Sequence, residues 1–389
     1  MTMTTKIKGV NLGGWLVLEK WMTPELFIDT PADDEYYLAH DLSKEAYEAR
    51  INTHRAEFMT EADFIRMQAE GINFVRIPVP YFIFGDRPPF VGGIEYLDRA
   101  FNWAQAYDIR ILLDLHTVPG SQNGFDNGGI SGVCKWGQEE TDVTFVLSVL
   151  TRLATRYKNH PALWGIQPIN EPITEKMWEI MRPLDRYQAR DVKMAEGSRP
   201  LTMSFLQQFY REAYQQLRAI LLPETVIAFH DAFELHAWKD FFEKGSFENV
   251  MLDTHQYLMF AEMEGTKQAV ESYLTYLDGL GKELAEVAAY IPVFVGEWSL
   301  FNSYTAGVDT QGGINPTQQT FEANTRLATS ELVEAYQQLW QKSVSTWNIG
   351  EGHFFWTYKL NIDTINEPAW YGWDSWDLSR CLSKKWAKI

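Results

Sequence analysis

The chain has 389 residues, 46% of them apolar, and a formal net charge of −18. So acidic a balance excludes nucleic acid and anionic membranes as partners, because both are gripped through basic surface. No run approaches the roughly 18 apolar residues that span a bilayer. The two cysteines, Cys134 and Cys381, fall into no metal or redox spacing, and neither His-Glu-x-x-His, Gly-x-Ser-x-Gly nor a phosphate loop occurs. No metal and no cofactor is expected.

Short apolar runs alternate with amphipathic stretches from one end of the chain to the other. The spacing predicts a strand near 7–12, one helical stretch over 43–70 stopped by Gly71, and a strand at 74–79. Helix 95–107 and strand 110–116 follow, then helix 140–158, strand 163–170, helix 204–221 and strand 225–230. A strand at 249–257, helix 266–289, strand 292–298, helix 324–342 and strand 353–359 complete the series. Eight such βα units imply a (β/α)8 TIM barrel forming a single domain over 1–389. The connections 172–204, 299–323 and 361–380 exceed an ordinary βα turn and are read as rims of a pocket.

In this architecture the C-terminal strand ends carry chemistry, and polar residues gather there. Arg76 closes the second run, Asp114 and His116 the third, Asn170 and Glu171 the fourth, His230 and Asp231 the fifth. Asp253, His255 and Tyr257 close the sixth, Glu297 and Trp298 the seventh. One buried histidine is ordinary core, but polar groups at the same end of six strands are not.

Two glutamates stand out: Glu171 in Asn-Glu-Pro, and Glu297 in Gly-Glu-Trp. Cleavage of a glycosidic bond needs one carboxyl group to protonate the leaving oxygen and a second, ionised, on the same sugar ring. From spacing alone the two are either such a pair or strand-end carboxylates that only accept hydrogen bonds. Asn-Glu-Pro recurs at 366–368, but in a turn-rich context, so Glu367 is read as a loop residue. The aromatic content of 14% supplies rings on which sugar C–H faces stack, although most rings belong to the core.

Gly9-Val-Asn-Leu-Gly-Gly-Trp-Leu-Val-Leu-Glu19 with Trp21-Met-Thr-Pro resembles the opening of the fungal-type exo-β-1,3-glucanases of glycoside hydrolase family 5. Asp114-Leu-His116 with Pro119-Gly-Ser-Gln-Asn-Gly-Phe125-Asp-Asn resembles their third strand and loop. Phe74-Val-Arg76, Asn170-Glu171-Pro172, His255-x-Tyr257, Gly296-Glu297-Trp-Ser and Phe355-Trp356-Thr-Tyr-Lys complete the set in family order. The resemblance covers residue 9 to about 360.

It implies a retaining mechanism in which Glu171 is the acid/base and Glu297 the nucleophile. Glu171 is then expected to be protonated at rest, above the glutamate reference of about 4.3, through partial burial and an ionised Glu297. Arg76 and Tyr257 are expected to donate to Glu297, Asn170 to bond the sugar 2-hydroxyl, and His116 and His255 to orient hydroxyls and carboxylates. Trp356 would floor the reacting ring across a cis bond to Thr357. Glu19, Trp21 and Asp126 would recognise the terminal glucose, and Phe125 and Phe260 would clamp the next sugar.

The substrate so implied is a β-glucan or gluco-oligosaccharide, with glucose released from the non-reducing end. An endo-β-1,4-glucanase, a β-1,6-glucanase, a glucosylceramidase-like enzyme and a non-catalytic glucan-binding protein are the alternatives. Three positions depart from the family pattern: Lys20 stands in place of proline, Gly128 of serine, and His353 of an aromatic residue. If Met1 is the native start, the absence of a leader implies a cytoplasmic protein.

Overall fold

The computed structural model describes residues 5–263, 269–306, 327, 329–367, 370 and 372–389. Eight parallel strands close into one barrel in chain order. They are β1 Ile7–Asn11, β2 Phe74–Val79, β3 Arg110–Leu115, β4 Leu163–Gln167, β5 Val226–His230, β6 Val250–His255, β7 Val293–Trp298 and β8 Gly352–Phe355. β8 pairs back onto β1, so the sheet has no free edge. The outer ring includes helices Glu61–Glu70, Ile94–Ala106, Glu140–Tyr157, Met203–Arg218, Val270–Ala288 and Thr329–Trp347. This is the (β/α)8 barrel expected.

Side chains alternate along each strand, and that alternation builds the interior in layers. Ile7, Phe74, Leu112, Trp164, Val226, Ala228, Met251, Phe294 and Phe354 form an apolar plug inside the barrel. Two residues further along the same faces come Arg76, Asp114 and Asp253, all fully buried. The polar layer therefore rests on a dry floor and faces the C-terminal mouth. Two glycines make the layers fit. A Cβ on Gly9 would lie 2.3 Å from the Phe354 ring, and one on Gly296 would lie 2.0 Å from Asp253 Oδ1.

Several boundaries differ from the expectations. The stretch 43–70 is two helices, Lys44–Glu57 and Glu61–Glu70, preceded by a third, Glu35–Asp41. Thr60 breaks the run because its N–H donates to Asp63 Oδ2 at 2.8 Å, starting a new helix rather than continuing the old one. β4 stops at Gln167 and not at 170, since Pro168 has no N–H for the ladder. β6 and β8 also end early, at His255 and Phe355. The N-terminal turns of the helices expected at 266 and 324, and Gly312-Gly313, lie outside the described residues.

Candidate active site

Arg76 is the hub. From the second layer of β2, its Nη1 donates to Glu297 Oε1 at 2.7 Å and to Asn11 Oδ1 at 3.0 Å. Nη2 donates to Asn170 Oδ1 at 2.7 Å and lies 3.1 Å from Asp114 Oδ2, while Nε donates to Gln167 Oε1 at 3.0 Å. Burial works against the guanidinium charge, but Asp114, Glu297 and Asp253 outweigh it and hold the group more firmly protonated than usual. A planar fork meeting five acceptors is geometry that only arginine offers.

Glu297 ends β7, and its second oxygen accepts from Tyr257 Oη at 2.7 Å. The two donors expected at Glu297, Arg76 and Tyr257, are both in place. Glu171 lies beyond the end of β4 in a tight turn with φ of 41°, the left-handed region that non-glycine residues avoid at a cost of order 1 kcal/mol or more. Buried amides hold that turn: Gln122 Nε2 donates to the Asn170 carbonyl at 2.8 Å, and Asn123 Nδ2 to the Glu171 carbonyl at 3.2 Å. The turn aims the Glu171 carboxylate back over the barrel mouth.

His255 joins the two carboxylates. Its Nδ1 lies 2.7 Å from Glu171 Oε1 and 3.5 Å from Glu297 Oε2. The facing oxygens are therefore no more than about 6.2 Å apart, so both carboxylates border one space. On the far side of the ring, Nε2 lies 3.4 Å from Asp253 Oδ2, which Gln167 Nε2 anchors at 2.8 Å. Burial pushes the imidazolium down, yet Glu297 and Asp253 more than compensate and raise it to about 10.

Glu171 is shifted in the direction opposite to the one expected. Burial raises Glu171, but donation from His255, its charge, and Asn127 Nδ2 at 2.7 Å on Oε2 carry the carboxyl below the ordinary glutamate value. Glu297 is raised: burial and the neighbouring Glu171 outweigh the lowering by His255 and Arg76. The raised imidazolium of His255 faces Glu171 Oε1 through Nδ1 at 2.7 Å. The resemblance names His255 as orienting carboxylates, and it stands between the two, but its effect on Glu171 is not read from the sequence.

His116 Nδ1–H donates to Asp114 Oδ2 at 2.6 Å, leaving Nε2 to accept from Asn170 Nδ2 at 3.4 Å. Its ring stacks on Trp356, with centroids 5.6 Å apart and planes 12° from parallel. The Trp356–Thr357 peptide is cis, as the resemblance implies. Arg76, His116, Asn170 and His255 are nearly or fully buried beneath the pocket surface.

The pocket itself is open to solvent and brings together Glu19, Trp21, Phe125, Asp126, Glu171, Tyr257, Phe260, Glu297 and Trp356. Trp21 Nε1 donates to Glu19 Oε2 at 2.9 Å. Burial and Asp126 raise Glu19 well above a normal carboxyl, and burial raises Asp126 to about 6. Glu367 is remote, accepting from Trp370 Nε1 at 3.0 Å in an exposed loop.

Some lining residues escaped the sequence reading. Asn127 stands inside the quoted Phe-Asp-Asn motif, so the signal for it was present. Met181, Arg186 and Tyr187 come from the long 172–204 connection and Trp376 from 361–380, where only length marked them. The departures have local reasons. A Cβ on Gly128 would meet Ser121 Oγ at 2.2 Å. His353 Nδ1 accepts from Trp298 Nε1 at 3.0 Å, a bond no phenyl ring can make, and Lys20 pairs with Asp33 at 2.7 Å.

Glu171, His230 and His255 bring possible metal-ligating atoms within 4.8 Å of one another. The donor set does not suit an ion. His230 Nδ1 accepts from the Ala232 N–H at 2.9 Å, so in the neutral ring Nε2 carries the proton and has no lone pair to give.

The family described as cellulase (glycosyl hydrolase family 5) matches residues 42–350. The chain is 32% identical to a probable glucan 1,3-beta-glucosidase A of Emericella nidulans, over 97% of this chain and 89% of that protein. It is 31% identical to glucan 1,3-beta-glucosidase 1 of Schizosaccharomyces pombe, over 94% and 85% respectively. In fold it is similar to a rutinosidase from Aspergillus niger, with a TM-score of 0.75 at 20% identity over 98% of each chain. The chain belongs to glycoside hydrolase family 5.

Proposed function

We propose that the protein is a retaining exo-β-1,3-glucanase that releases glucose from the non-reducing ends of β-1,3-glucan or laminari-oligosaccharides. The observation that carries this is the pair of glutamates bridged by one imidazole nitrogen, at 2.7 and 3.5 Å, in a pocket lined by Glu19, Trp21 and Asp126. Glucan 1,3-beta-glucosidases among the relatives support the linkage.

Glu297 attacks the anomeric carbon, and the C1–O bond breaks as Glu171 protonates the departing oxygen. That proton comes from His255 Nδ1, which is in contact with Glu171 Oε1, and its transfer leaves a neutral imidazole beside a neutral acid. Asn127 holds the other oxygen of Glu171 and fixes its direction. Water then cleaves the glucosyl ester, giving its proton to Glu171 and returning the β-anomer. Trp356 lies flat under the sugar, and Glu19 with Asp126 receives the hydroxyls of a chain end.

The product profile on laminarin at low conversion tests the reading. Glucose as the dominant product, first appearing as the β-anomer by NMR, is expected. A ladder of oligosaccharides would overturn exo action, and α-glucose would overturn retention.

A further inference from the structure

β5 leads into two fully buried titratable residues that the mechanism leaves unused, His230 and Asp231. Beyond them the chain runs through Ala232 and Phe233 with φ of 55° and 60°, the left-handed region that non-glycine residues avoid unless their surroundings impose it. Here the two side chains impose it. His230 Nδ1 accepts from the Ala232 N–H at 2.9 Å, and Asp231 Oδ1 from the Phe233 N–H at 2.8 Å. The other Asp231 oxygen accepts from Thr254 Oγ1 at 2.6 Å, which ties the turn to β6 one residue before His255.

His230 side-chain hydrogen bonding runs through Nδ1 alone. Its Nε2 has no hydrogen-bond partner among the described residues, so hydrogen bonding does not explain why a ring stands here. What the ring touches does. Its centroid lies 4.3 Å from that of His255 with the planes 85° apart, and Phe233 meets both rings edge-on, at 5.1 Å from His230 and 6.4 Å from His255. Turning the His255 ring about its stem would carry Nδ1 away from Glu171 and Nε2 away from Asp253. In a close-packed interior the His230 ring is a wall against that rotation.

Two imidazoles this close also compete for one proton. The Ala232 N–H settles the contest, because a proton on His230 Nδ1 would face another donor. Burial, then the charges of His255, Arg76 and His116, disfavour the imidazolium further and hold His230 well below an ordinary histidine. Asp231 Oδ1 stands 3.7 Å from Nδ1 but already serves the Phe233 N–H, and the Glu171 carboxylate, within 4.8 Å of a ring nitrogen, is served by His255.

We infer that His230 is a positioning residue for the acid step: its neutral ring, fixed by the Ala232 N–H, packs against His255 and keeps that imidazolium aimed at Glu171. The inference rests on the acid role of Glu171 proposed above and adds no step to the reaction.

Two substitutions separate the ring from the acceptor. His230→Asn retains an oxygen where Nδ1 stands and removes the ring, whereas His230→Phe retains a ring and leaves the Ala232 N–H unpaired. Glucosylation, read as kcat/KM, is measured on laminaribiose, whose leaving sugar needs the proton, and on 2,4-dinitrophenyl β-glucoside, whose leaving group does not. His230→Asn should lose about tenfold on laminaribiose and less than about threefold on the dinitrophenyl glucoside, and His230→Phe should recover most of the laminaribiose loss. Equal losses on the two substrates, a Phe variant worse than the Asn variant, or an Asn variant within about twofold of wild type on laminaribiose would overturn the inference. Where His230→Asn does not fold, imidazole nitrogen NMR shifts of the wild-type enzyme decide: a neutral His230 with its proton on Nε2 from pH 5 to 8 supports the assignment, and a charged ring or a proton on Nδ1 overturns it. Wild-type enzyme that cleaves neither substrate refutes the proposed function as well, whereas cleavage of both with equal losses in the variant refutes only this inference.

Discussion

Replacing Arg76 by lysine tests whether the buried hub is what readies the nucleophile. The guanidinium meets five acceptors, on Asn11, Asp114, Gln167, Asn170 and Glu297, at 2.7 to 3.1 Å. An ammonium has three donors, so at least two buried acceptors lose their partner, at about 1–3 kcal/mol each. The folded state should lose about 2–6 kcal/mol, which for a chain of this length lowers Tm by about 2–7 °C. If Glu297 is among the acceptors abandoned, a charged hydrogen bond of about 1.5–3 kcal/mol goes with it, a loss of about 10–150-fold in kcat/KM. The nucleophile acts ionised, and donation to the ionised form favours it, so the acid limb of the pH profile should move to higher pH. The measurements are calorimetry and kcat/KM between pH 4 and 7 on 2,4-dinitrophenyl β-glucoside, whose leaving group needs no proton. An unchanged Tm with kcat/KM within twofold, or a loss equal at every pH, would refute the reasoning.

Glu297→Ala should abolish turnover of every β-glucoside. Glu171→Ala should still be glucosylated by the dinitrophenyl substrate and be rescued by azide in the second step; if Glu367→Ala proved the more damaging change, the choice between the two Asn-Glu-Pro copies would be wrong. Asn127→Ala removes the donor that holds Glu171 Oε2 at 2.7 Å and fixes the direction of the acid, so kcat/KM on laminaribiose should fall about tenfold, and a loss of equal size on the dinitrophenyl glucoside would mean that Asn127 serves something other than the acid. His353 is held neutral by burial, with its folded value lowered to about 3 from an ordinary 6.5. Protons therefore bind the unfolded chain preferentially, and this contribution to stability is present above pH 6.5 and lost as pH falls toward 3. His353→Phe, which forfeits the Trp298 bond, should be less stable than wild type by about 1 kcal/mol at pH 7, with the deficit shrinking as pH is lowered to 5. A deficit that stays constant in denaturant titrations at both pH values would show that the imidazole does not titrate in this way.

The strand series and the choice of Glu171 and Glu297 could be read from the chain because both rest on local rules. A strand buried on both faces needs a continuous apolar run. Its end at the barrel mouth tolerates Arg76, His116 or His255 because partners arrive from neighbouring strands. Pro168 and Thr60 were equally local signals, and attention to a missing N–H and a capping box would have placed those two boundaries correctly. Asn127 was adjacent to a residue already singled out.

Other features depend on pieces brought together from far apart in the chain. Arg186 and Tyr187 enter the pocket only because the 172–204 connection folds back over the third loop, where Gly132 packs against Ala189. No residue pattern announces that. The direction expected for Glu171 fails for a related reason. Spacing shows that two carboxylates share a site, and mutual repulsion then argues for protonating one of them. The outcome is decided by His255, 84 residues from Glu171 in the chain yet 2.7 Å away in space. At Glu171 the imidazolium, its donated hydrogen bond and Asn127 together outweigh desolvation, and whether they stand at that distance is a property of the closed barrel, not of any one segment.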